Sequence, residues 1–342
     1  MNATTLGIDL AKRVFYLHGE DRSGRVVLRE KLSRERLVVF IARLPQCTIA
    51  MEAGAGAHHW ARKFRGFGHQ VRLIHAKFVW PFVKSNNNDW HDAAAICEAA
   101  QRPTMRFVAV KTTAQQDILL AHRIRERLVG QRTGLVNQIH GLLNEYGVVI
   151  PTQVTRLRRA LPDVLEDAEN GLTVTARRLL AALSTELREL EERIKPFERE
   201  IERAAADHEP CRRLRTIPGI GPMSATALVA TMGDPDLFKN GRHFAAYLGL
   251  VPKQHSSGGK TKLLGISRRG DMYLRKLLIQ GAHSVLQRVG QRTDRRSEWL
   301  RQLMARRGRT KTAVALANKN ARIAWRLLKF EESYEVSAPL AA

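Results

Sequence analysis

Short apolar runs alternate with helical patterns through the first hundred residues, and this alternation restricts the fold more than any other feature. Residues 4–9 (Thr-Thr-Leu-Gly-Ile-Asp) form a buried strand pattern that ends in an acid. Val14 to His18 and Val26 to Leu32 continue as strands of a meander, turning at Asp21-Arg22-Ser23-Gly24. Ser33 is placed to cap a helix over Arg36 to Leu44. Cys47 to Met51 reads as a strand that again meets an acid, Glu52. A helix over Ala57 to Phe67 and a strand over Gln70 to His75 follow. Strands that alternate with helices imply an α/β sheet.

After Trp80-Pro81 comes a polar turn, Ser85-Asn86-Asn87-Asn88, and then a helix from Asp89 to Glu98. An acid at a helix start is favoured by the helix dipole, so capping is an alternative reading of Asp89. Residues 113–146 carry a long helical pattern with Ile118, Leu128, Leu135, Ile139, Leu142 and Leu143 on its apolar side. Leu180, Leu183, Leu187, Leu190, Ile194, Phe197 and Ile201 then repeat at alternating spacings of three and four, the seam of a coiled coil. Pro196 falls inside this seam and predicts a kink or an end there. Two readings are open for so short a seam: pairing between subunits, or packing inside its own domain. From Thr216 onward the chain reads as helices joined by Gly-rich turns, with a frayed tail from Glu331 to Ala342.

Charge bears on the partner. Of 342 residues, 57 are Lys or Arg and 33 Asp or Glu, a formal net charge of +24. Between Lys253 and Lys329 there are 20 Lys and Arg, against Asp271, Asp294 and Glu298 alone. Such an excess favours a polyanion, because each neutralised phosphate releases counterions. Charge does not separate DNA from RNA. No run of ~18 apolar residues is present to span a membrane, and no signal peptide is read at the start. Cys47, Cys97 and Cys211 are scattered and form no Cys-x-x-Cys pair, so neither a disulfide framework nor a thiolate zinc site is supported, and a reducing cytoplasm fits.

Four acids define a candidate metal site: Asp9, Glu52, Asp89 and Asp92. Two end strands, and two lie three apart on one helix face. Taken singly, each reads best as a cap, a turn residue or an ion-pair partner. Brought together they would repel one another, and a hard divalent cation, Mg²⁺ (or Mn²⁺), relieves that repulsion. Such ions stabilise the oxygens of a phosphoryl transfer. A second motif, Ile217-Pro218-Gly219-Ile220-Gly221-Pro222, resembles half of a helix-hairpin-helix, with Gly219 and Gly221 opening a helix whose N–H groups grip a phosphate. A third surrounds Ser256-Ser257-Gly258-Gly259, flanked by Lys253, Lys260, Lys262, Arg268, Arg269 and Arg275. A serine there can attack a phosphodiester while the cations stabilise developing charge, although Ser-Ser-Gly-Gly alone is also simply a flexible loop.

Taken in order, Gly7-Ile8-Asp9-Leu10-Ala11-Lys12, Met51-Glu52-Ala53, Asn88-Asp89-x-x-Asp92-Ala93, Ile217-Pro218-Gly219-Ile220-Gly221, and Gly249-Leu250-Val251-Pro252 through Ser257-Gly258 resemble the DEDD transposases of bacterial insertion sequences, relatives of the pilin-gene invertases. Asn88 stands where many of these proteins carry Thr. The resemblance implies an α/β N-terminal RNase H-like domain, close to Holliday-junction resolvases, a coiled-coil connector, and a mainly α C-terminal transposase domain. It implies Asp9, Glu52, Asp89 and Asp92 as the metal-binding tetrad. Ser257 becomes the nucleophile that forms a transient phosphoserine link to DNA, with Ser256 the alternative register. It further implies a homo-oligomer, dimer or tetramer, with tetrad and serine from different subunits, and a structured bridge RNA in some members.

The expected domains are 1–112 (catalytic), 113–210 (helical connector), 211–330 (transposase domain) and 331–342 (tail). The expected function is excision and insertion of an insertion sequence. The rival readings are a structure-selective junction nuclease that uses the tetrad alone and a non-catalytic nucleic-acid chaperone.

Overall fold

The computed structural model describes residues 3–84 and 88–335. Ser85, Asn86 and Asn87 of the expected polar turn, and residues 336–342 of the expected tail, lie outside the described residues. The chain divides into two compact units, Met1–Gln115 with Thr231–His243, and Gln116–Ala230 with Phe244–Ala342. The division does not follow the expected boundary at 210. The connector and most of the C-terminal segment share one unit, while a short stretch after 230 returns to the first.

The first unit is built on the expected alternation. Its elements are β1 (Thr5–Asp9), β2 (Val14–Glu20), β3 (Val26–Ser33), α1 (Arg34–Arg43), β4 (Thr48–Glu52), α2 (Ala57–Gly66), β5 (Gln70–Ile74), α3 (Ala76–Val79), α4 (Asp89–Ala100) and β6 (Phe107–Val108). They form a six-stranded sheet in the order β3-β2-β1-β4-β5-β6. β1, β4 and β5 are parallel, whereas β2 runs antiparallel to both β1 and β3, and β6 antiparallel to β5. Because successive side chains point to opposite faces, Ile49 and Met51 pack with Leu37 and Ile41 of α1 and Trp60 and Phe64 of α2. Ala50 faces the other way, against Ala95, Ile96 and Ala99 of α4. The sheet is therefore covered on both faces. Ser33 caps α1 as expected, accepting from the Arg36 backbone N–H. The two-residue β6 has no signal in the sequence, since so short a strand cannot show a period.

The second unit is mainly helical. It comprises α5 (Thr113–Glu145) from Gln116, α6 (Val154–Glu166), α7 (Val174–Asp207), α8 (Glu209–Arg215), α9 (Pro222–Met232) to Ala230, and α10 (Gly241–Tyr247) from Phe244. Next come β7 (Pro252–Ser257), β8 (Lys260–Ile266), α11 (Met272–Gln287), α12 (Arg295–Arg307) and α13 (Arg309–Phe330). The seam of α7 is buried inside this unit: Leu180, Leu187, Leu190 and Ile194 pack with Leu128, Leu135, Ile139 and Leu143 of α5 and with Leu157 and Leu161 of α6. Arg125 on α5 pairs with Glu198 on α7 (2.6 Å), and Leu135 shares a pocket with Leu190, so the two long helices run antiparallel. The structure thus fills the seam from within the chain, leaving no free seam for the subunit-pairing reading. Leu142, expected on the apolar side, is 41% exposed. Nor does Pro196 end the helix. It lies on the exposed side of α7, so the carbonyl it leaves unpaired need not be buried, while Ile194 and Ile201 stay buried on either side of it.

Candidate active site

Gly7 decides how closely α4 approaches the sheet. A Cβ at Gly7 would collide with the Ala93 carbonyl oxygen and come within 2.6 Å of the Cys97 backbone nitrogen. Gly7 and Asp9 share a face of β1, so the side that admits the helix also carries the carboxylate. At the start of α4, Asn88 is the cap: its side-chain oxygen accepts from the Trp90 N–H (3.0 Å). This releases Asp89 from the capping role left open by the sequence and places Asp89 and Asp92 in the first turn.

Asp9, Asp89 and Asp92 each bring a carboxylate oxygen into one small volume, with all three atoms within 4.8 Å of one another. Glu52 ends β4 one step beyond the Ile8–Met51 pairing, beside Asp9 on the neighbouring parallel strand. It lies outside that tight trio but acts on it through its charge. Burial, then Asp92, Asp89 and Glu52, push the Asp9 carboxyl up to about 6. Burial and Asp89 also raise Asp92. Asp9 and Asp92 thus resist ionising, and a divalent cation would relieve such a set of hard oxygen donors.

The serine lies in the second unit, on a β-hairpin missing from the sequence reading. Gly258 (φ 54°) and Gly259 (φ 76°) make a two-residue turn with both φ positive, a conformation suited to glycine, between β7 and β8. Gly-Gly between two polar alternating runs is the signal that could have found it. Facing pairs on the ladder are Ser257–Lys260 and His255–Lys262, and separately Ser256–Thr261 and Gln254–Leu263. Ser257 thus shares its face with His255, Lys260 and Lys262. Ser256 lies on the opposite face with Gln254, Thr261 and Leu263, and accepts from the Gln254 side chain (2.9 Å).

The expected phosphate-binding residues divide. Lys253, Lys260, Lys262, Arg268 and Arg269 are exposed. Arg275 is not: it is 7% exposed, and its guanidinium donates to the Leu248 and Arg269 carbonyls (both 3.0 Å), tying the two ends of the hairpin together. Arg275 is therefore corrected from a surface contact to an internal brace. Gly219 packs against Gly281 of α11, where a Cβ would lie 2.9 Å from the Gly281 carbonyl oxygen. Gly221 is exposed and immediately precedes α9, at the junction expected of a helix-hairpin-helix. Other basic residues are also committed internally. Arg296 donates to Pro218 and Asn320, and Arg301 pairs with Glu298. Cys47, Cys97 and Cys211 are buried free thiols.

The sequence places these features in a known group. A profile of DEDD transposases of the IS110 type, described as Transposase, matches residues 6–148. The profile of the Transposase IS116/IS110/IS902 family matches residues 211–298. The Transposase for insertion sequence element IS1111A of Coxiella burnetii is 46% identical, over 97% of this chain and 92% of its own. The chain belongs to the IS110/IS116 family of DEDD transposases. A transposase for insertion sequence element IS1328 of Yersinia enterocolitica is 45% identical over 95% of this chain and 96% of its own. A Pseudomonas aeruginosa relative named "Probable family 20 transposase" is 48% identical over 98% and 99% respectively. As a family transposase the protein is a DNA-processing enzyme with DNA as its partner. No helix among the described residues is long and apolar enough to cross a membrane.

Proposed function

We propose that this transposase cuts and rejoins DNA at its element's ends and at a target, with Asp9, Glu52, Asp89 and Asp92 binding Mg²⁺ (or Mn²⁺) and Ser257 as the nucleophile. The convergence of Asp9, Asp89 and Asp92 carries this reading. Bound there, the divalent cations would supply Lewis-acid stabilisation of the phosphate oxygens. The chain's part is placement. β1 and β4 present Asp9 and Glu52 from a rigid sheet, and the first turn of α4 presents the other two. Ser257 Oγ bonds the phosphorus, its proton passes to a base, and the displaced sugar oxygen leaves; a sugar hydroxyl later reverses the step. The face shared with His255, Lys260 and Lys262 favours Ser257 over Ser256, because only that face gathers positive charge around the hydroxyl.

The strand order, with β2 the one reversed strand among β1 to β5, supports an RNase H-like first unit. The exposed cations, with the Gly221 end of α9, form the nucleic-acid surface in this reading. The formal charge of +24 suits a structured guide RNA as well as DNA. Acids and serine belong to different compact units, in keeping with a cytoplasmic homo-oligomer, dimer or tetramer, that joins them between subunits.

Trapping the covalent intermediate on DNA carrying the recombination site tests the proposal. Ser257→Ala should abolish the protein–DNA adduct and retain DNA binding, Ser256→Ala should keep the adduct, and Asp9→Asn should abolish cleavage. Cleavage that survives in both serine variants would assign the chemistry to water at the acid site, as in a junction nuclease.

A further inference from the structure

The face of the sheet that carries Asp9 holds a second, differently charged group of side chains. Tyr16 pairs with Asp9 across β1 and β2, and Lys31 with Tyr16 across β2 and β3, so all three stand on the face covered by α4. Arg29 pairs with His18 and lies on the same face. Trp90 follows Asp89 in the first turn of α4 and meets the Tyr16 ring edge-on, with centroids 4.9 Å apart. The Arg29 guanidinium lies 4.6 Å from the Trp90 ring centre, and the Lys31 ammonium 5.3 Å from that of Tyr16. Both cations are exposed, and both rings are partly exposed.

Edge-strand charges commonly serve to block strand addition. These two instead lean over aromatic rings. Neither is paired with a carboxylate among the described residues, although Asp9, Asp89 and Asp92 gather close by. Acids and cations are thus held side by side without cancelling. That separation suits a ligand that needs both: a phosphate backbone entering a carboxylate site. Cations oriented by rings keep their N–H groups available for phosphate oxygens, and ring edges provide apolar contact for a sugar.

We propose that Arg29, Lys31, Tyr16 and Trp90 form a docking platform for the sugar-phosphate backbone of the DNA strand delivered to Asp9, Asp89 and Asp92. The proposal rests on the acid-site reading, but it concerns strand binding and not the chemistry. These are positioning residues.

The test uses the full chain and a labelled DNA duplex carrying the element end, with binding measured across a salt series without divalent ions. In Arg29→Ala/Lys31→Ala the slope of log affinity against log salt should fall by about 2, one per lost phosphate contact. The Mn²⁺-induced shift in melting temperature should stay at the wild-type value. Arg29→Lys should restore one contact. Should the double variant fail to fold, Arg29→Gln and Lys31→Gln singly should each lower the slope by about 1. An unchanged slope overturns the proposal, whatever the melting temperature does, because a purely structural cation–ring pair would alter stability alone. A loss confined to an RNA hairpin of equal length overturns it as well. Wild-type protein that shows no Mn²⁺ shift would instead refute the metal reading, while a reduced slope in the Arg29→Ala/Lys31→Ala variant would still support the platform.

Discussion

The acid site and the serine hairpin use opposite means of holding reactive groups. The acids stand on β1, β4 and α4 beside fully packed residues: Ile8, Met51, Ala93 and Ile96 are all at most 1% exposed. Every residue of β7 is exposed, and so is all of β8 except Ile266. A two-stranded hairpin without a packed face is marginally stable alone, and here it is braced at its base by Arg275. The difference teaches that the acid cluster is preformed by packing, whereas the hairpin that carries Ser257 has no packed face to fix it.

The largest effect that could break this contrast is at Gly7. Gly7→Ala forces α4 off the sheet and should cost roughly 1–3 kcal/mol from overpacking. It should also lower cleavage about a hundredfold or more, since about 1 Å of misplacement suffices for that. Gly265→Ala, in the exposed strand β8 where an added Cβ meets nothing within 4 Å, should leave the melting temperature nearly unchanged. Equal losses of stability in the two variants would remove the distinction.

Next, and read in stability alone, is the α7 seam. Leu187→Asp buries an unpaired charge against α5, so it should destabilise the second unit by about 3 kcal/mol or more in denaturant unfolding. A variant that stays fully stable and merely changes mass in light scattering would restore the intersubunit reading.

A smaller effect sharpens the view of the acid site. The folded Asp9 carboxyl titrates at about 6 against an ordinary 3.8, so the fold holds that proton more tightly than the unfolded chain does. Its ionisation therefore costs stability as pH rises from about 4 to above 6. Without metal, Asp9→Asn should be the more stable protein at pH 7.5, by on the order of 1 kcal/mol after solvent screening, and should match wild type near pH 3. Mn²⁺ should reverse the order at pH 7.5. A variant no more stable than wild type at pH 7.5 would show that the acids do not repel.

The smallest expected effect concerns motion. Amides of β7 and β8 should exchange with deuterium far faster than those of β1 and β4. Addition of a DNA duplex should slow the hairpin and leave the sheet unaltered.

Much of the first unit was legible because its strands are short, apolar and punctuated. The period of two marks which side chains share a face, and the acids at the ends of β1 and β4 follow directly. The seam of α7 was equally legible as a pattern, but a stripe of leucines does not say what covers it. That was decided when α5 and α6 folded back on it. The hairpin escaped notice because polar strands such as Gln254 to Ser257 carry no hydrophobic alternation, and only the paired glycines mark it.

What the sequence determined by itself is therefore most elements of the first unit, the apolar seam of α7, the excess of positive charge and the four acids with their spacing, all set by local composition and period. Tertiary structure alone decided three things. Gly7 lets α4 close on β1 and makes one site of separate carboxylates. Arg275 turns inward to two carbonyls and leaves the basic surface. The ladder from Ser257 to Lys260 separates two adjacent serines onto opposite faces. The first two depend on which backbone atoms approach across the fold, and the third on a strand pairing that the polar residues of β7 and β8 do not announce by hydrophobic period.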